Sequence, residues 1–437
     1  MEHKETYQYD LVKKLSFVRF GGTAEELKAA EIIRGEIESF GGKGELMDFE
    51  IPAYDVQKCG MTVTAPFTRD VPCVPYGCSG ELPEGGVELD LCYIEVNSPA
   101  GFYGKSDLSG CAALVNFPMD FDFYKELCEH KAAAIIVINM DKWFDTPETT
   151  DLVPRAMREE MLEIGKVPTF AIRSKDATEL VRDGAQKVRL ELRQTETKHT
   201  SRDVLAVIEG TEITDECVVL TAHYDSVLVG TGSWDNATGS ATLLYIYEHF
   251  LKNPPKRTMR FIWCGSEEQG LYGSKAYVEQ HKDLLKSIRF CFNFDMCGTI
   301  LGSNDVFVTG GDDLKAITEQ IANEAGYPIV LRKTVHSSDS APFAQEGIPS
   351  VGLSRGTRSA DIHTRHDVME PLSAEKLQYN AEFAIFFIRR FVDSLVFPVK
   401  RELPEDMVKE VEKYFRKDKL DALKKEREEK KQEGTAC

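Results

Sequence analysis

Apolar and polar positions divide the 437-residue chain into stretches of different period. Residues 21–42 predict a helix: Leu27, Ala30, Ile33, Ile37 and Phe40 fall on one face, Thr23 and Glu26 have capping-box spacing, and Gly41 ends it. Residues 43–54 then alternate like a strand through Leu46, Phe49 and Ile51. From 55 to about 192 the pattern shortens to brief strands and Gly/Pro turns. Buried strands are expected at 110–115, 131–138 and 167–172, with a helix around 124–129 between the first two.

After Asp203 strands and helices alternate at the spacing of a doubly wound sheet. The strands are expected at 203–210, 218–220, 258–264, 290–295, 306–309, 329–335 and 350–353. The helices fall at 240–252, 274–288, 313–325 and 374–395, and Pro254-Pro255 stops the first of these. The end, 400–437, is dense in charge with sparse apolar residues (Val408, Val411, Tyr414, Phe415, Leu420, Leu423), which reads as a partly amphipathic surface helix fraying into solvent. The expected fold is α/β: a mixed, mostly parallel doubly wound sheet flanked by helices, carrying a β-rich inserted domain. Its expected boundaries are 1–54 and 196–399 for the sheet domain, 55–195 for the insert, and 400–437 for the tail.

Composition narrows the partners. The formal net charge of −19, with no basic patch in the sequence, argues against a nucleic-acid backbone as a partner. Eleven cysteines, among them Cys59, Cys92, Cys217, Cys264 and Cys437, form no CxxC pair and read as reduced thiols. The opening MEHKETYQYDLVKKL lacks an apolar core of secretory type, and the longest apolar run, 132–138, is too short to span a bilayer. The expectation is a protein of the reducing cytoplasm with no membrane partner; its oligomeric state is not legible.

Candidate chemistry gathers in VVLTAHYDSVLVGTGSWDNATG, 218–239. A β-branched strand delivers His223, and Asp225 follows two residues on, placed to hydrogen-bond the second imidazole nitrogen of a metal ligand. Asp235 sits in the turn before a helix. Ligands of an open α/β sheet collect at the carboxyl ends of strands, and Glu267-Glu268, Asp295 and His363 all follow expected strands. Two imidazoles and three carboxylates thus form a ligand set. Two zinc ions would be balanced by Asp235, Glu268, Asp295 and a hydroxide, so that no net charge is buried. Glu267 is left over, next to a ligand, as a general base and acid.

The motifs AHYDSV (222–227), DNATG (235–239), GSEEQGLYGS (265–274), FNFDMCG (292–298) and IHTRHD (362–367) together resemble the co-catalytic zinc exopeptidases, the family of bacterial leucyl aminopeptidases and glutamate-carboxypeptidase-like enzymes. The resemblance implies that His223 and Asp295 bind one zinc, Glu268 and His363 the other, and Asp235 both. It also implies Glu267 as base, Asp225 orienting His223, and other divalent metals as possible substitutes. GKSDLSGCAALV, KAAAIIVIN and VPTFAIRSKDATELV in turn resemble a protease-associated domain inserted into such enzymes.

Two positions depart from the family pattern. Trp234 stands before the Asp-Asn pair, where its indole is expected to line the mouth of the site, and Ser340 replaces a histidine in SDSAPF. His366, His336 and His249 are expected in solvent-facing or satisfied polar roles. The implied reaction is release of N-terminal residues from peptides. The alternatives are a carboxypeptidase or dipeptidase, with Arg355, Arg358 or Arg365 clamping a terminal carboxylate, glutaminyl cyclisation, disfavoured by Ile362 before His363, and a non-catalytic binding module on the same fold.

Overall fold

The computed structural model describes residues 6–116, 119–358 and 360–434; Cys437 and the first five residues of the N-terminal stretch lie outside the described residues. Contacts divide the chain into two compact units, Met1–Ile51 with His199–Lys417, and Pro52–Lys198 with Asp418–Cys437.

The first unit is a seven-stranded mixed sheet. Its spatial order is Val330–Lys333, Ser303–Thr309, Ser350–Gly356, Ile288–Phe294, Ile213–His223, Arg257–Cys264 and the end of Lys187–Ile208. The four strands from 350–356 through 257–264 run parallel to one another. The 303–309 strand is antiparallel to 350–356 and parallel to 330–333, and the last strand, where Val204 opposes Trp263, is antiparallel to 257–264. The central strands carry near-continuous apolar runs because helices cover both faces. Trp263, Phe261, Phe290 and Phe292 are fully buried, each worth about 1.5–3 kcal/mol of burial. Thr238–Lys252 and Ala374–Val392 supply much of the opposing apolar surface, including Leu244, Tyr247, Phe387 and Phe391.

Local sequence explains several boundaries. The helix Ala24–Ser39 starts at Thr23, whose hydroxyl accepts the Glu26 N–H at 3.2 Å. The reciprocal half of the capping box is displaced by one residue, since Glu26 accepts the Gly22 N–H at 2.8 Å. The helix expected over 274–288 is only Tyr272–Gln280. His281 stacks on Tyr277 and its Nδ1 lies 3.0 Å from the Tyr277 carbonyl, ending the helix one turn after that residue.

The second unit carries parallel strands Val87–Ile94, Cys111–Val115, Ala134–Ile138 and Thr169–Ile172, with the helix Phe121–Glu129 between two of them. The tail is not one fraying helix. It forms Glu405–Tyr414, belonging to the first unit, and Lys417–Gly434, nearly all of it in the second, with Arg416 at φ 52° between them. The charges expected to be solvated are paired: Lys419 with Asp122 at 2.6 Å, Lys125 with Glu426 at 3.1 Å and Arg427 with Glu163 at 3.2 Å, while Leu423 is buried. Among the described residues no helix is long and apolar enough to cross a membrane.

Candidate metal centre

Parallel pairing brings the candidate ligands together. Thr221 is in register with Asn293 and His223 with Cys264, so His223, Asp295 and the 265–268 segment leave three neighbouring strands at one level. His223 Nε2 lies 3.1 Å from Asp235 Oδ1 and 3.4 Å from Asp295 Oδ1. His363 Nε2 lies 3.2 Å from the other Asp235 oxygen and 2.9 Å from Glu268 Oε2. Two three-residue groups result, His223 with Asp235 and Asp295, and Asp235 with Glu268 and His363, their donor atoms within 4.8 Å of one another in each. Asp235 faces both groups, one oxygen to each. All five expected ligands therefore converge; His363, at φ 58° and 36% exposed at its side chain, forms the open side, and the other four are at most 8% exposed.

The turn that presents Asp235 is built by three neighbours. Asp235 and Asn236 leave helical geometry (φ −107° and −137°), and the peptide between them is cis. Asn236 grips the Asp295 loop on both sides, donating to the Phe294 carbonyl at 2.9 Å and accepting the Met296 N–H at 3.1 Å. Its Oδ1 also accepts the Gly239 N–H, and a Cβ on Gly239 would lie 2.3 Å from that oxygen, so only glycine fits there. Asp367, at the end of the His363 motif, accepts the Trp234 and Asp235 N–H groups at 2.7 and 3.0 Å. Sequence reasoning misses this role, for which the visible signal is an acid four residues beyond a candidate ligand histidine.

Asp225 differs in emphasis from the sequence expectation. Its Oδ1 is 3.4 Å from His223 Nδ1, a nitrogen that makes no hydrogen bond, whereas its two oxygens accept the N–H groups of Glu267 and Glu268 at 3.0 and 3.2 Å. The acid therefore fixes the segment that carries the candidate base as well as facing the imidazole. Beneath that segment, Glu26 accepts the Ser201 hydroxyl at 2.5 Å, and Ser201 in turn meets Ser266 Oγ at 2.8 Å.

Electrostatics mark the cluster as short of positive charge. Burial opposes a proton on His363, yet hydrogen bonds to Asp235 and Glu268 push its pKa up to about 11. Burial also opposes charge on His223, but Glu267, Asp295, Asp225 and Asp235 hold its proton well above the ordinary range. Burial and Asp235 move Glu268 up to about 7 against the pull of His363, and burial raises Glu267 well above the usual carboxylate range. Asp235 goes the other way: burial is outweighed by its bonds to His223 and His363, which lower it.

The donor set fits divalent ions. Glu268 Oε1 and Asp295 Oδ1 are buried without hydrogen-bond partners, an arrangement that a cation relieves. Ligands about 2.0–2.1 Å from a tetrahedral ion stand about 3.3 Å apart, close to the 2.9–3.4 Å separations here.

Other candidates are placed elsewhere. Trp234 is 5% exposed, packed in the sheet's core with its indole nitrogen unpaired, and so does not line the mouth. The non-helical turn sends its side chain inward while its backbone N–H meets Asp367. Arg355 is buried and committed to the Thr299 carbonyl at 2.6 Å, Asn304 Oδ1 at 2.6 Å and the Ile300 carbonyl at 3.4 Å, so it is no free clamp; Arg358 is exposed. Ser340 is buried with an unpartnered hydroxyl. His336 is buried, stacked on Phe307 with ring centroids 4.2 Å apart, its Nδ1 3.5 Å from Asn293 Nδ2. His249 Nε2 lies 3.3 Å from an Arg389 nitrogen, and His366 is exposed.

Comparison with known proteins gives a consistent picture. Residues 203–388 match peptidase family M28. The chain is 26% identical to aminopeptidase YwaD of Bacillus subtilis strain 168 over 393 residues, 86% of this chain and 82% of that protein. It is 27% identical to leucine aminopeptidase 2 of Trichophyton equinum over 205 residues, 44% of this chain and 41% of that one. The fold superposes on a zinc aminopeptidase from Bacillus subtilis with a TM-score of 0.74, covering 92% of this chain and 98% of the other at 24% identity. The aminopeptidase of Aneurinibacillus sp. strain AM-1 gives 0.70 over 90% and 96% at 23% identity.

Proposed function

Because residues 203–388 match peptidase family M28, we propose that the chain is a two-zinc aminopeptidase of that family that removes N-terminal residues from peptides. The observation that carries this reading is Asp235, whose two oxygens each face a separate histidine-and-carboxylate group. His223 and Asp295 would hold one ion, Glu268 and His363 the other. Divalent ions bound there supply Lewis acidity to a scissile carbonyl and make water a better nucleophile. The names of the aminopeptidase relatives and the nitrogen and oxygen donors favour zinc; cobalt and manganese suit the same donors.

Glu267 is the general base and acid of this reading. It takes a proton from the attacking water and returns it to the leaving amine. Burial raises its pKa well above the usual carboxylate range, while His223 across the site favours the ionised form. Asp225 holds it in place through the Glu267 N–H. A carboxypeptidase needs a cation for the substrate carboxylate, and the buried candidate for that role, Arg355, is already committed to two carbonyls and Asn304. A non-catalytic module would have no use for a filled and convergent donor set.

For the unit holding 52–198 we propose a protease-associated-like module, supported by its parallel strands and the intervening helix. The free thiols of the ten described cysteines fit the reducing cytoplasm expected from the sequence. The test of function is a panel of unblocked and N-blocked aminoacyl arylamides and dipeptides, assayed with zinc and after chelation. Cleavage should require metal and a free amine. Glu267→Gln should keep two zinc equivalents by metal analysis while kcat falls by about 10²–10⁴; undiminished turnover would remove Glu267 from its role.

A further inference from the structure

Arg19 lies 205 to 213 positions before Tyr224, Thr231 and Gly232 in the chain, yet it is fully buried against them beneath the metal cluster. Its guanidinium donates only to backbone carbonyls: to Tyr224 through Nε, to Leu15, Phe17 and Thr231 through Nη1 at 2.7, 3.0 and 2.5 Å, and to Gly232 through Nη2 at 2.7 Å. Its own backbone exchanges hydrogen bonds with Ser226, the Arg19 N–H to Ser226 Oγ at 3.0 Å and the Ser226 N–H to the Arg19 carbonyl at 3.3 Å. Gly232, at φ 55°, allows the approach, since a Cβ there would lie 3.0 Å from the guanidinium and 2.6 Å from Ser226 Cβ.

The placement of these acceptors is informative. Tyr224 to Ser226 follows His223 and includes Asp225; Thr231 and Gly232 precede Asp235. One planar group with five N–H donors therefore fixes the separation between the segment bearing one imidazole and the turn bearing the shared carboxylate. Asp225, Asp367, Asp235 and Glu268 all lie within its electrostatic reach, and its side-chain hydrogen bonds go to backbone carbonyls instead, so the Asp235 and Glu268 oxygens remain available to the site.

We infer that Arg19 is a positioning residue for the metal centre: it sets the His223–Asp235 geometry by tying the 224–226 and 231–232 backbones together, and thereby sets divalent-ion affinity. This rests on the metal reading above, but its first consequence needs no metal. Lysine keeps the charge and loses the fork, so Arg19→Lys isolates geometry from electrostatics.

The test uses the full-length protein, stripped of metal and then titrated with cobalt(II), whose visible d–d absorption reports ligand geometry. In the stripped state, amide exchange over Tyr224–Asp235 should rise at least tenfold in Arg19→Lys while that of Ile288–Phe294 stays unchanged. On titration, cobalt affinity should fall at least tenfold and the visible band should shift. Unchanged exchange at 224–235 overturns the inference whether or not metal binds. Faster exchange with unaltered cobalt affinity and spectrum overturns the link to the metal centre. A wild-type protein that binds no cobalt refutes the metal reading, and with it that link, while the exchange result still decides whether Arg19 positions the two segments. If Arg19→Lys does not fold, Ser226→Ala removes one of these ties, the Ser226 Oγ acceptor of the Arg19 N–H, and should raise exchange at 224–226; no rise there refutes the inference.

Discussion

Replacing Glu26 by glutamine isolates what a fully buried carboxyl does under the catalytic loop. Glu26 has no exposed surface, accepts from the Gly22 N–H and from Ser201, and has the Arg202 guanidinium 4.0 Å away. Burial is the largest influence on it and wins over those hydrogen bonds and over Arg202, moving its pKa from 4.5 up to about 8. The folded protein thus holds the proton more tightly than the unfolded chain, and stability contributed by this group is complete below pH 4.5 and lost as pH rises through about 8. A rise of that size corresponds to about 3–5 kcal/mol at 1.36 kcal/mol per unit. Glutamine mimics the protonated form and cannot ionise. Urea unfolding of wild type and Glu26→Gln should therefore show the variant gaining on wild type by several kcal/mol between pH 5 and pH 9. A difference independent of pH would show that Arg202 and the hydroxyls stabilise a permanent carboxylate, and the burial argument would be wrong.

Two further substitutions test residues that the sequence alone did not place. Asp367→Asn keeps the shape but replaces one acceptor of the Trp234 and Asp235 N–H groups by a donor, so it should cost about 1–3 kcal/mol in chemical unfolding and raise the zinc concentration needed for half occupancy; unchanged values for both would exclude its bracing role. Arg355→Gln should lower stability by a similar about 1–3 kcal/mol while leaving the ratio of unblocked to N-blocked substrate cleavage unaltered; a selective loss of cleavage next to a free carboxylate would restore the carboxypeptidase reading.

The legible part of this protein is the part written in short periods. Val218–Leu220, Phe261–Cys264 and Phe290–Phe292 are apolar runs because helices cover both faces of the sheet, and such runs show in any window of six residues. The residues that follow them, His223, Glu268 and Asp295, are legible for a chemical reason: divalent ions need imidazole and carboxylate, and the fold puts ligands at strand ends. Adjacency of Trp234 to Asp235 in sequence predicts an indole at the mouth of the site, but the departure from helical φ/ψ at Asp235 sends the indole to the core instead.

Arg19 and Glu26 show a different limit. As sequence, RFGGTAEE is a loop followed by a helix start, and Glu26 completes a capping box by spacing alone. In the folded chain both side chains serve segments about 175 to 240 positions away, and neither contact leaves a periodic trace. The two glycines between them are informative for the same reason: a Cβ on Gly21 would lie 2.1 Å from Ser266 Oγ and one on Gly22 2.7 Å from His199 Cβ, so the N-terminal loop packs directly on the segment leading to Glu267. The candidate ligands thus carry the proposed chemistry, while a stretch near the N-terminus that contains none of them ties down the segments that present them. Arg19 bonds the turn before Asp235 and Glu26 bonds Ser266 and Ser201 beside Glu267.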